Sequence, residues 1–203
     1  MAKRTSFTVT IDPTLLKAEM SRGKNGNIVA EQIHRVITDD IEKAQNTLVK
    51  NLLAHPVSRE IESGPRASNS SGTLGGYGNL FSFLGFDNGD NPISVIQNIL
   101  SNKMKYTVRP RSGGKFLITV QTPKAEEIFE ATPMPWASGL SWAEGIEQGV
   151  SNAAAYLFNP RGFSNSTSGT GLQSQNNVSG VSFKRTPYIS QLIKEFKQDL
   201  LKI

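Results

Sequence analysis

The stretch 27–53, "NIVAEQIHRVITDDIEKAQNTLVKNLL", holds the longest regular pattern in the chain. Val29, Ile33, Ile37, Ile41, Ala44, Leu48 and Leu52 recur at steps of three and four. That spacing puts them on one stripe of an amphipathic helix. Glu31, Arg35, Asp39, Glu42, Lys43, Gln45 and Lys50 fall on the other side. At ~1.5 Å per residue such a helix is roughly 40 Å long, more than a small globule needs. Pro56 ends or kinks it, because proline lacks the amide donor and clashes with the preceding turn.

Working outward, "SFTVTI" at 6–11 alternates and predicts a half-buried strand, and "DPTLLKAEM" predicts a short helix from Pro13. "PVSREIESG" reads as a short helix ending at Gly64. Gly64 to Gly78 reads as a loop, and Asn79 to Phe86 as a short strand or apolar turn. Pro92 to Asn102 has helical spacing of Ile93, Ile96, Ile99 and Leu100. "MKYTVRPR" and "KFLITVQT" flank "SGG" and predict a hairpin. Pro110 places its first strand at a sheet edge. A short acidic helix is expected over Lys124 to Glu130, an extended linker over "TPMPWASGLSW", and a helix over Ala143 to Phe158. Asn159 to Ser182 is a long Ser/Asn/Gly/Thr segment, and Pro187 to Ile203 an amphipathic helix. The expected fold is α+β. A small antiparallel sheet packs on the long helix and the C-terminal helix in one domain over 1–203, with Gly/Ser-rich arms at about 64–80 and 159–182.

The 203 residues carry 22 Lys and Arg against 17 Asp and Glu, a net charge of +5. That mild excess suits contact with nucleic acid or an acidic protein surface. With no cysteine, disulfides, thiolate metal sites and cysteine nucleophiles are excluded. His34 and His55 are too few for most zinc sites and have no HExxH-type spacing. No apolar run approaches the ~18 residues of a membrane span. The N-terminal stretch lacks the apolar core of a signal peptide. The chain is expected to be soluble, made in the cytoplasm and independent of membranes.

The glycines of "NSSGTLGGYGNLFSFLGF" at 69–86 invite a phosphate-loop reading. A Walker loop needs Lys and Ser/Thr after its last glycine, whereas Gly78 is followed by Asn79 and Leu80. A dinucleotide loop needs a strand before and a helix after, and neither flank is predicted. Glu144 and Glu147 share a helix face as a solvated surface, and the serines lack a nucleophile elbow. No catalytic, metal or cofactor site is expected, and an enzyme is not.

Lys103, Lys105, Arg109, Arg111 and Lys115 lie within thirteen residues with no acid among them. On a strand, Lys105, Arg109 and Arg111 share one face. Such a face suits phosphate contact without base readout, or an acidic neighbouring subunit. It also suits an edge strand blunted by charge. Trp136 and Trp142, in a Pro/Gly-rich connector, read as interface anchors or as a lid on the chain's own core. Gly72, Leu74, Gly75, Tyr77, Leu80, Phe81 and Phe83 form a pliable arm with an apolar foot. The foot is fixed to the chain's own core or to the next subunit.

The order of parts resembles the minor tail protein Z-like, or tail-completion, family of neck proteins in tailed bacteriophages. The likeness rests on the long helix running into Leu48 to Gly64, "SGTL" at Ser71 to Leu74, the sheet, and "FKRTPYISQLI" at Phe183 to Ile193. The blocks "ASNSSGTLGGYGNLFSFLGF", "WASGLSWAEGIEQGVSNAAAYLF" and "YISQLIKEF" look similar to virion structural proteins of large contractile-tailed phages. The resemblance implies a non-enzymatic virion component at the head–tail junction. It implies a homo-oligomeric ring, commonly sixfold, around the DNA channel, touching other neck and tail proteins. A tail terminator or connector of the same neck, and a free basic nucleic-acid-binding protein, are the alternatives.

Overall fold

A computed structural model describes residues 4–10, 26–111, 115–150, 156–173 and 183–201. Expectations for Pro13 onward, the hairpin tip and the end of the polar segment lie outside the described residues.

The spine is helix α1, Gly26–Ala54. At ~1.5 Å per residue it spans about 43 Å. Ile37, Ile41, Leu48 and Leu52 of the expected stripe are buried, and Ala44 is partly so. Gln45, expected on the polar face, instead donates from Nε2 to the Leu100 carbonyl at 2.8 Å and the Ser101 carbonyl at 2.7 Å. These belong to the last turn of α4 (Pro92–Asn102), whose carbonyls have no partner within their own helix. One amide thus ties two helices.

Chain reversal after α1 is tight. His55 is extended and caps α2 (Pro56–Glu62), with Pro56 in its first turn. A 3₁₀ turn covers Gly64–Arg66. The segment after the glycines is α3 (Leu80–Leu84), a five-residue helix. This corrects the expectation of a strand or apolar turn. The Asn79 side chain accepts from Ser82 N, which caps the first turn, and Gly85 at φ 77° closes the last. All five residues of α3 are buried.

Strands β1 (Arg4–Thr10), β2 (Lys105–Arg111) and β3 (Lys115–Gln121) form an antiparallel sheet in the order β1-β3-β2. Pro110 does lie on an edge strand. Ile118 and Val120 are buried. On the same face Tyr106 reaches α1: its hydroxyl donates to Thr38 Oγ1 at 3.1 Å, and its ring lies 6.1 Å from that of His34. Helix α5 (Ala125–Glu130) follows β3. The expected linker is a small hairpin of β4 (Pro133–Met134) and β5 (Ala137–Ser141).

Helix α6 covers only Trp142–Gln148, which corrects the expected helix through Phe158. Gly149 at φ 98° takes the backbone out of helical geometry, and Tyr156–Phe158 is strand β6, paired with β7 (Gly171–Gln173). The C-terminal helix α7 (Ile189–Leu200) packs along α1 and buries Leu192, Ile193, Phe196 and Leu200. One contiguous apolar cluster joins these helices to the sheet. The class is α+β, as expected.

Candidate functional site

Glu60 on α2 decides the fate of the glycine loop. It is 1% exposed. One carboxylate oxygen accepts from Ser71 N at 2.8 Å and the other from Leu80 N at 2.8 Å. The loop therefore does cradle an anion, and the anion is the chain's own. Two more ties hold it: Lys184 N donates to the Thr73 carbonyl at 2.7 Å, and Asn79 Nδ2 donates to the Pro65 carbonyl at 3.0 Å. Thr170, from the long polar segment, donates to the same Pro65 carbonyl at 3.0 Å and hydrogen-bonds Ser82. The described parts of both expected arms converge on α3.

The same packing places the expected interface residues. Leu74, Leu80, Phe81, Phe83 and Trp142 are buried in the chain's own core. Side chains with no accessible surface cannot anchor a neighbour, and this corrects their assignment as intersubunit contacts. Tyr77 is half-buried, and Gly72 and Gly75 are exposed. Trp136 is 39% exposed and lies across Gly85. A β-carbon built on Gly85 would come 2.8 Å from Trp136 Cδ1, so only glycine fits beneath the indole.

A second small network sits where α1, α2 and α7 meet. Tyr188 is fully buried, and its hydroxyl shares a hydrogen bond of 2.7 Å with Ser58 Oγ. The His55 ring lies 4.9 Å from the Tyr188 ring and accepts at Nδ1 from Val57 N at 3.3 Å. Burial lowers the His55 pKa, opposed by a hydrogen bond with the Pro187 backbone and by the charge of Glu195. Burial raises the Tyr188 hydroxyl, which stays protonated. An Nδ1 that accepts must carry no proton, so the fold holds neutral His55 with hydrogen on Nε2. The folded pKa lies below the ordinary ~6.5. Stability from this site is therefore complete above about pH 6.5 and is lost as pH falls through the folded value. Thermal melts should drop over that interval in the native chain. They should be flatter for His55→Asn, whose amide can still cap α2. Equal slopes in both would refute the assignment to His55.

The five cations of the hairpin fall as follows. Lys103 is exposed at the C-terminus of α4. Lys105, Thr107 and Arg109 are exposed on the open face of the sheet, beside half-buried Leu117, Thr119 and Gln121. Arg111 and Lys115 pair by backbone register, and their side chains lie outside the described set. Register adds a third strand. Lys105 and Arg4 both pair with Gln121, Thr107 and Ser6 with Thr119, and Arg109 and Thr8 with Leu117. Cross-strand partners share a face, and among the described side chains of these rows Lys105 and Arg109 stand with no acid. A shallow cleft of about 210 Å³ on this face is lined by Lys105, Tyr106, Thr107, Arg109, Leu117, Thr119 and Gln121. Cations at alternate strand positions can meet a row of phosphates or carboxylates without reading a base.

The surface around the β4–β5 hairpin bears the opposite sign. Three adjoining clefts of about 470, 750 and 370 Å³ surround it. Their linings include Glu126, Glu130, Glu144, Asp87 and Asp90, and no Lys, Arg or His among the described residues. Val95, Trp136 and Leu140 stand exposed among them. The sequence reading missed this surface, because its acids come from three separate segments.

No protein-family model, curated protein or solved structure matches the chain. Among the described residues no helix is long and apolar enough to cross a membrane.

Proposed function

We propose that the chain is a structural virion protein of the tailed-phage head–tail junction, a neck or tail-completion component working by assembly and without turnover. The observation that carries this reading is the open face of the three-stranded sheet, exposed at Lys105, Thr107 and Arg109 and free of acid among its described rows. A surface of this kind is suited to a fixed, sequence-independent contact with a charged partner. The likeness of the long helix, the "SGTL" segment and the Pro-aromatic entry to α7 points to the same class. The protein would form a ring around the DNA channel, in company with other neck and tail proteins.

Imaging of assembled particles with this chain labelled tests the reading directly. Copies confined to the neck, in a number matching a ring, are expected. Absence from particles, or copies spread along the tail, would refute it. A free nucleic-acid-binding protein is the second reading that the cationic face favours. It requires duplex DNA binding whose affinity falls steeply with salt and no enrichment in particles.

A further inference from the structure

Two exposed surfaces of the molecule carry opposite charge. The open sheet face presents Lys105 and Arg109 with no acid lining its cleft. The surface around the β4–β5 hairpin presents Glu126, Glu130 and Asp90 with no cation lining its clefts, among the described residues. No residue lines both surfaces. The two are built by different elements: β2 and β3 on one side, α5, β4, β5 and the N-terminus of α4 on the other.

We infer that these surfaces are partners: the cationic sheet face of one copy docks on the acidic hairpin surface of a second copy. This rests on the assembly reading above and specifies which faces meet. Opposite surfaces on one chain make a heterologous contact, which propagates head to tail and closes into a ring if the rotation allows. Charge alone would hold such a contact weakly, because exposed ion pairs contribute little and are screened by salt. The acidic side adds what charge lacks. Trp136 is 39% exposed and Leu140 51% exposed within it, and an indole held on Gly85 is an apolar anchor that pays little entropy on docking. Electrostatics then fixes orientation and speeds encounter. DNA satisfies only the cationic face and leaves the acidic, apolar surface uncovered. A second copy satisfies both.

The test is oligomeric state at low and high salt for the full chain and two charge-reversed variants, Lys105→Glu/Arg109→Glu and Glu126→Lys/Glu130→Lys. All four positions are exposed, and unchanged melting curves would confirm that each variant folds. The native chain should form oligomers that dissociate as salt rises. Each variant alone should raise the dissociation constant at least about tenfold. Mixed one to one, the variants should regain oligomers in which they alternate, because two native faces meet at one junction and two reversed faces at the next. The chain carrying all four reversals should regain oligomers. A native chain that stays monomeric at low salt, or oligomers indifferent to both reversals, would overturn the inference. So would loss of DNA binding in Lys105→Glu/Arg109→Glu with its oligomers unchanged, which would assign the sheet face to nucleic acid. None of these outcomes moves the protein out of the neck, which particle imaging decides separately.

Discussion

Glu60→Ala should lower stability by about 3–5 kcal/mol and free the glycine loop. The substitution removes the acceptor for two buried backbone donors, Ser71 N and Leu80 N. Each hydrogen bond to a charged group contributes roughly 1.5–3 kcal/mol. The cost has a second part, since both amides are left without the carboxylate in a site that is 1% exposed at Glu60. Glu60→Gln should cost about half as much, because one amide oxygen still accepts while the NH₂ faces a donor. Urea unfolding measures the total. Hydrogen exchange locates it: the Ser71 and Leu80 amides should lose protection before those of α1. Both buried amide contacts end on one side chain, so the loop should also become the first site of proteolytic cleavage. A loss below about 1 kcal/mol, with protection unchanged at both amides, would mean that the loop is held by its other ties.

How much of this was legible in the sequence depends on the range of the forces involved. Helix α1 was readable because its stripe repeats over many turns and every repeat votes the same way. Helix α4 was readable from Pro92 and four isoleucine and leucine positions, and the β2–β3 hairpin from its alternation and glycine turn. The short helices were not. A five-residue helix such as α3 offers hardly more than one turn of periodicity. What makes it a helix is the Asn79 cap, the left-handed Gly85 and burial of every residue between them, and burial is tertiary. The opposite error occurred after Trp142, where the expected helix ran on past Gly149. Its φ of 98° fits the close approach of Arg185, whose Nε would lie 3.3 Å from an added β-carbon.

The candidate surfaces divide in the same way. The cationic strand could be read because its residues are neighbours in sequence. Arg4 joins its rows through strand pairing alone, a contact more than a hundred residues away. The acidic surface could not be read, since Asp90, Glu126 and Glu144 are collected from separate elements by the fold. Glu60 was unremarkable in sequence for a related reason. Its two donors lie 11 and 20 residues downstream, within a stretch whose glycines suggested freedom. Glycine content measures what a loop can do when nothing holds it, and here a buried carboxylate does.

The two tryptophans should respond oppositely to truncation. Trp142→Ala is expected to cost about 3–5 kcal/mol, the range for deleting a buried aromatic and leaving a cavity. Its ring is 2% exposed and meets Phe86 edge to face at 5.7 Å, a geometry that adds to simple area burial. For a chain of this size the melting temperature should fall by about 10 °C. Trp136→Ala removes a ring already 39% exposed. The loss should be under about 1 kcal/mol. Assembly should reverse the order. Trp136→Ala should weaken self-association with little change in melting, whereas Trp142→Ala should affect assembly only in proportion to the unfolded fraction. Fluorescence separates the two without truncation. With Trp136→Phe the remaining emission should be that of a buried indole, and with Trp142→Phe that of a partly wet one. If Trp142→Ala melts like the native chain, the core assignment of that residue is wrong and, of the two readings the sequence left open for it, interface anchor or core lid, the anchor is favoured.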